Sequence, residues 1–167
     1  MRYNFCVKCG GAVVQVTKEK FRCTKCGYMM YINPMPTTAG IIMKGSKIMF
    51  VRRGKEPYKN WWDLPGGFLK EKETPEQCMI REMKEETGLI VKPMKFLGFK
   101  NDQYHDERVL GTFFLCKIVG GKERAGSDAS EIRWFDKKAV PRNVAFRGIR
   151  VGLKEFVGAR FTKRVVK

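Results

Sequence analysis

Apolar residues along the chain keep changing their period, and each change marks an element. Ala12 to Thr17 and Phe21 to Arg22 are strand-like stretches around a polar turn, Thr17 to Lys20, and predict a β-hairpin. Thr38 to Lys44 and Lys47 to Arg53 are apolar runs joined at Gly45-Ser46 and predict a second hairpin. Leu64-Pro65-Gly66-Gly67 reads as a loop without repetitive structure. Thr74-Pro75-Glu76-Gln77 is a helix start, with Thr74 as N-cap, Pro75 at the first helical position and Gln77 completing a capping box; Gly88 stops that helix. Strands are expected at Leu89 to Lys100, Arg108 to Val119 and Ile132 to Phe135. Val144 to Val157 returns to helical spacing, with Phe146, Ile149, Leu153, Phe156 and Val157 on one side as core. Asn33-Pro34-Met35-Pro36 breaks both patterns, which predicts a small module over 1–33, a linker over 34–36 and a main domain over 37–167. Strands interleaved with two helices, and no internal repeat, predict an α/β fold: an α/β/α sandwich around a mixed sheet.

Composition supports a folded chain and narrows its partners. The 167 residues are 43% hydrophobic and 12% aromatic, enough for a core, which excludes global disorder and tandem large domains. No apolar run reaches the about 18 residues of a membrane span, and the start carries cysteines where a secretory signal needs an apolar stretch. A soluble, cytoplasmic protein is expected, with no membrane partner. Lys and Arg number 34 against 17 Asp and Glu, a net charge of +17, so anions such as phosphorylated ligands or nucleic acid are favoured. The excess concentrates between Lys137 and Lys167, where Glu155 is the one acidic residue. That stretch is either a solvated helix face and tail or an anion-binding surface; charge alone names no partner.

Four of the six cysteines fall as Cys6-Val-Lys-Cys9 and Cys23-Thr-Lys-Cys26. Two C-x2-C turns place four thiolates around one tetrahedral ion, the chemistry of structural zinc, and the match is to a zinc ribbon. Gly10 and Gly27 follow the pairs and let the backbone fold tightly under the metal. A fragment this small has few apolar residues, whereas bound zinc contributes about 10 kcal/mol of folding free energy. With all four positions filled by protein, the zinc is expected to be structural. A redox dithiol pair is the alternative, and Cys78 and Cys116 read as small buried residues.

Further along, Glu82, Glu85 and Glu86 stand at i, i+3 and i+4 on the predicted helix, so the three carboxylates share a face. Like charges placed this way repel, and hard divalent cations with oxygen ligands turn them into a site. Magnesium is commonly shared between protein carboxylates and substrate phosphates, which suits a strongly basic protein. Gly66-Gly67 allow a close backbone approach, with the Gly66 carbonyl as a further oxygen ligand, and Arg81 with Glu73 is expected to pair and fix the loop against the helix. On a bare helix the same glutamates would read as an ordinary solvated face.

The full spacing runs from Gly67 over five residues to Glu73, over seven more to Arg81, then Glu82, Met83, Lys84, Glu85, Glu86, Thr87, Gly88 and Leu89. It matches G-x5-E-x7-R-E-U-x-E-E-x-G-U, with U apolar, and the chain thereby resembles the Nudix hydrolase family. That resemblance implies an α/β/α sandwich and hydrolysis of a nucleoside diphosphate linked to another moiety, with Mg2+ or Mn2+. It implies Glu82, Glu85, Glu86 and the Gly66 carbonyl as metal ligands, Arg81 and Glu73 as loop anchors, and a further acidic residue from a downstream loop. Glu131 is the candidate, with Asp128, Asp106 and Glu107 as rivals.

A zinc ribbon ahead of such a domain is similar to NADH pyrophosphatases, which cut the dinucleotide or NAD-capped RNA. The chain is expected to lack their additional N-terminal domain, and Ile90 to His105 contains nothing like their S-Q-P-W-P-F-P motif. Tyr104 stands near where other members carry a residue associated with ADP-ribose or dinucleoside polyphosphates. ADP-ribose is therefore the first substrate expected, and NADH or NAD-capped RNA the alternative. Trp61, Trp62, Tyr58 and Tyr104 are candidates to stack on a base, and Arg52, Arg53 and Lys59 to meet phosphates. Trp and Tyr beside strands equally suit core packing, and His105 reads as a loop residue. A non-catalytic nucleotide- or RNA-binding regulator is the rival of another class, RNA is a possible partner, and a homodimer is possible by analogy.

Overall fold

Neighbouring core residues point to opposite sides of one sheet, and that alternation builds the main unit. In the computed structural model, which describes residues 3–126 and 128–162, the chain forms two units, Met1–Pro34 and Met35–Lys167. In the larger unit β4 (Met35–Lys44) and β5 (Lys47–Arg53) pair antiparallel, and β6 (Trp62–Asp63), α1 (Pro75–Thr87), β7 (Leu89–Tyr104), β8 (Glu107–Gly121), β9 (Ala129–Asp136) and α2 (Arg147–Val157) follow. The sheet order is β6-β5-β4-β8-β7, with β9 on β5; β4 and β8 run parallel and the other pairs antiparallel, so the sheet is mixed. Ile42, Met49 and Phe114 pack against Met79 and Met83 of α1, whereas Ile41, Phe50 and Phe113 pack with Ile149 and Leu153 of α2. One helix per face gives the three-layer α/β/α sandwich.

The ends of α1 are set as the sequence predicts. The Gln77 amide donates to Thr74 Oγ1 at 3.3 Å, the Thr74 amide donates to Gln77 Oε1 at 2.9 Å, and Gly88 takes φ 68° at the C-terminal cap. Such a cap contributes about 1 kcal/mol and fixes where the helix begins. Gly40 lets α1 lie close to β4, since a Cβ there would stand 2.4 Å from Met79 Sδ and 2.6 Å from Met83 Cε.

Three expectations are corrected. Residues 35 and 36 of the expected linker belong to β4, with Met35 opposite Val109 and Pro36 opposite Leu110. Proline is tolerated near the start of a strand, and the Pro36 carbonyl still accepts from the Leu69 amide at 3.2 Å. The second helix begins at Arg147 rather than Val144, because 143–145 run beside β6: Trp62 donates to the Asn143 carbonyl at 2.9 Å and Ala145 to the Trp62 carbonyl at 2.8 Å. Strand β7 continues to Tyr104, four residues beyond Lys100, bending at register shifts near Ile90, Pro93 and Phe96.

The smaller unit is a three-stranded antiparallel sheet, β1 (Val13–Thr17), β2 (Lys20–Cys23) and β3 (Met29–Tyr31), over buried Phe21, Met30, Cys6 and Cys23. The predicted hairpin is its first two strands; β3 is a short addition.

Candidate active site

Gly67 brings the loop onto α1: a Cβ there would lie 2.4 Å from Glu82 Oε1, so only glycine leaves that carboxylate its place. The preceding Gly66 amide donates to Glu86 Oε2 at 3.0 Å. Arg81 gathers the rest. Its Nε and Nη2 hold both oxygens of Glu73, at 2.5 and 2.8 Å, and Nη2 also reaches the Phe68 carbonyl at 3.1 Å. Its Nη1 meets Glu82 Oε1 at 2.6 Å and Glu85 Oε2 at 3.1 Å. The expected pairing of Arg81 with Glu73 is thus present, and it ties the loop to the helix.

A cleft of about 410 Å³ opens beside this helix, lined by Gly66, Gly67, Arg81, Glu82 and Glu86 on one side. Arg53, Lys55, Asp63, Tyr104, Asp128 and Phe146 line other parts of its wall. Burial pushes the Glu86 carboxyl up to about 8 against the opposing Gly66 amide, and the neighbouring carboxylates of Asp63, Glu82 and Asp128 push the same way. Burial likewise raises Glu82. Asp63 is raised to about 6 by burial, although Arg53 holds it at 3.0 Å. Glu73 moves the other way, to about 2, because Arg81 and the Lys70 amide hold its charged form.

Three carboxylates and a neighbouring backbone carbonyl make an oxygen-only donor set on one helix face, which fits a hard divalent cation. Their oxygens are not drawn into one closed cluster: Arg81 bridges Glu82 and Glu85, and Gly66 holds Glu86. The cysteines differ. Among the described residues, Cys6, Cys9, Cys23 and Cys26 alone bring at least three such ligand atoms within 4.8 Å of one another. Their sulfurs stand 3.8 Å (Cys6–Cys26), 3.5 Å (Cys9–Cys23) and 3.4 Å (Cys9–Cys26) apart. Zn–S bonds of about 2.3 Å in a tetrahedron require edges of about 3.8 Å, so the donor set fits zinc. Gly10 and Gly27 take φ 68° and 72°, the left-handed turns expected under such a site.

Arg52, Glu131 and Trp62 do not line the cleft, and neither do Tyr58, Lys59, Trp61 or Glu85. Side chains alternate along β5, so Val51 and Arg53 line the cleft while Arg52 faces the other way. Glu131 lies opposite Arg52 and pairs with it at 3.5 Å and with Arg133. Trp62 is 6% exposed, in the α2-side core, edge-on to Phe135 and under the Arg133 guanidinium. Asp128, one of the rivals to Glu131, does line the cleft and holds Lys55 at 2.6 Å. Tyr104 lines the cleft as expected, stacked on Phe146 with centroids 5.9 Å apart and edge-on to Phe68. Sequence reasoning missed Asp63 and Asp102, whose signal is only positional: each lies in a strand beside the cleft.

Residues 34–154 match the model of the NUDIX domain. The chain is 39% identical over 117 residues to an ADP-ribose pyrophosphatase of Methanocaldococcus jannaschii, with 69% of each chain covered. It is 28% identical over 151 residues to an NAD-capped RNA hydrolase NudC of Pseudomonas aeruginosa, covering 89% of this chain and 53% of that protein. The chain therefore spans about half the length of the NudC relatives it matches. A NUDIX hydrolase structure from Nitrosomonas europaea superposes with a TM-score of 0.80 at 26% identity, over 96% of this chain and 97% of that one. With the loop, the helix and the sandwich all in that arrangement, the chain belongs to the NUDIX family of hydrolases.

Proposed function

We propose that the chain hydrolyses the pyrophosphate linkage of a nucleoside diphosphate derivative, with ADP-ribose as the first substrate. The observation that carries the reading is the pair of α1 carboxylates, Glu82 and Glu86, facing a cleft large enough for such a ligand. The Methanocaldococcus relative supports the substrate. Glu82, Glu85, Glu86 and the Gly66 carbonyl would hold Mg2+ or Mn2+. The Pro65 and Gly67 carbonyls accept from Gly40 and Thr38 on β4, and an extended chain turns the carbonyl between them the opposite way. Bound there, a divalent ion supplies Lewis acidity to phosphate oxygens and makes water a stronger nucleophile. Arg81 and Glu73 fix the loop and the Glu82 and Glu85 rotamers. Arg53 and Lys55 offer positive charge to the diphosphate, and Tyr104 with Phe146 offers ring faces to the base or ribose side. Asp128, which lines the cleft where Glu131 does not, is the downstream acid we assign to take a proton from water. Water adds to one phosphorus, the bridging P–O bond breaks, and ADP-ribose yields AMP and ribose 5-phosphate.

A magnesium-supplemented panel of ADP-ribose, NADH, NAD-capped RNA, sugar nucleotides and nucleoside triphosphates tests this. Glu86→Gln is expected to lower kcat by about 10³-fold or more, and Asp128→Asn by about 10²-fold, with Glu131→Gln near wild type. No turnover of any substrate, or an active Glu86→Gln variant, ends the reading. NADH or NAD-capped RNA is the second reading, favoured by the NudC alignment over 89% of the chain. The cysteine unit is assigned a structural zinc.

A further inference from the structure

Outside the cleft, the larger unit carries a shallow groove of about 430 Å³ on the outer side of α2, lined by Arg142, Arg147, Arg150, Val151, Lys154 and Phe161. Four of these six residues are cations and none is acidic. Glu155, the one carboxylate of the basic stretch, is turned aside to Lys100 at 2.8 Å. Of that stretch, Lys163, Arg164 and Lys167 lie outside the described residues. Two of the guanidinium groups are pinned: Arg142 Nε donates to the Thr162 carbonyl at 2.6 Å, and Arg150 Nη1 to the Val144 and Ala145 carbonyls. Arg147 and Lys154 are exposed, and the Lys154 ammonium stands 5.7 Å from the Phe161 ring centre. Such crowding of like charge is unfavourable without an anion, and pinned arginines lose little side-chain freedom when one arrives.

The groove and the cleft share one helix. Phe146, Gly148 and Ile149 line the cleft, and Arg147 and Arg150 line the groove, so both are built on the first turn of α2, from different faces of it. A free nucleoside diphosphate brings two phosphates, fewer than four cations would neutralise. Four closely set cations in a concave groove suit a polyanionic strand. We propose that this groove binds the phosphodiester backbone of single-stranded RNA whose 5′ end, carrying the pyrophosphate linkage, enters the cleft. The placement of the 5′ end rests on the hydrolytic reading above; the affinity of the groove for RNA does not.

Fluorescence anisotropy with the full chain in EDTA and a labelled single-stranded RNA of about 15 nucleotides tests the proposal. Arg147→Glu with Lys154→Glu is expected to weaken binding about tenfold or more and to flatten the log Kd against log salt slope by about 1.4. Lys92→Glu with Lys117→Glu changes net charge equally on the β7–β8 pair and is expected to cost less than about threefold. Arg147→Gln with Lys154→Gln repeats the comparison should the Glu pair lower Tm. Equal losses in the two Glu pairs would make the affinity one of overall charge and overturn the groove. So would an absence of RNA binding by the wild type, or a groove-dependent affinity for phosphatidylserine vesicles alone. Turnover of the same substrate panel in magnesium is measured in parallel: no turnover of any member by the wild type defeats the hydrolytic reading and leaves the anisotropy result to decide the groove.

Discussion

Arg52 and Arg53 are adjacent and chemically identical, yet Arg53 lines the cleft and holds Asp63, whereas Arg52 pairs with Glu131 on the far side. The period-2 alternation of a strand decides this, and its phase depends on which neighbours β5 acquires. The sequence therefore showed that an arginine stands there but not which one faces the cleft, and the same phase error misplaced Glu131 and Trp62. The glutamates of α1 were legible because a helix start, a helix stop and a fixed spacing define their face without any partner. Glu86 has a consequence at this scale. Its carboxyl holds a proton up to about 8 in the fold and to 4.5 ordinarily, so between those values the folded chain binds more protons than the unfolded one. Stability without metal is therefore expected to fall as pH rises from 4.5 through about 8, and magnesium, replacing that proton, to restore it more at the alkaline end. Thermal melts across that range, with and without magnesium, check the sign; a metal effect independent of pH would refute it.

At the scale of elements, α1 was readable in full, from the capping box at Thr74 to the left-handed Gly88, because local hydrogen bonds determine both ends. The start of α2 was not, since β6 takes the backbone of 143–145, a tertiary demand that helical periodicity cannot reveal. The loop before α1 carries two glycines with different duties. A Cβ at Gly66 would meet the Thr38 carbonyl oxygen at 2.0 Å, a backbone atom with no room to yield, whereas one at Gly67 would meet the Glu82 carboxylate. Gly66→Ala is expected to destabilise the fold by about 1–3 kcal/mol. Gly67→Ala is expected to leave Tm within a few degrees while lowering kcat about tenfold or more, by displacing Glu82. Melting curves and single-turnover rates separate the two; equal behaviour in both assays would show that the loop acts only as a structural turn.

Across the whole molecule, the two-unit organisation was visible in the cysteine spacing and the Pro34 break, though the boundary fell closer to Pro34 than to Thr37 because β8 recruits Met35 and Pro36 into the main sheet. Zinc at one equivalent per chain is expected by elemental analysis. A chelator at neutral pH is expected to release four titratable thiols and unfold the cysteine unit while the larger unit keeps its melting transition. A folded, metal-free cysteine unit would refute the assignment. Charge is the other global property. The chain carries +17, while Glu82, Glu86, Asp63, Asp102 and Asp128 gather at one cleft and Arg81 already occupies Glu82 and Glu85. A lone doubly charged ion approaching this molecule climbs an unfavourable field and must then share carboxylates that a guanidinium already holds. The same ion chelated by a diphosphate travels as part of an anion and is drawn in, so cargo and activator are expected to arrive together, with productive loading following the concentration of the chelate rather than that of the bare ion.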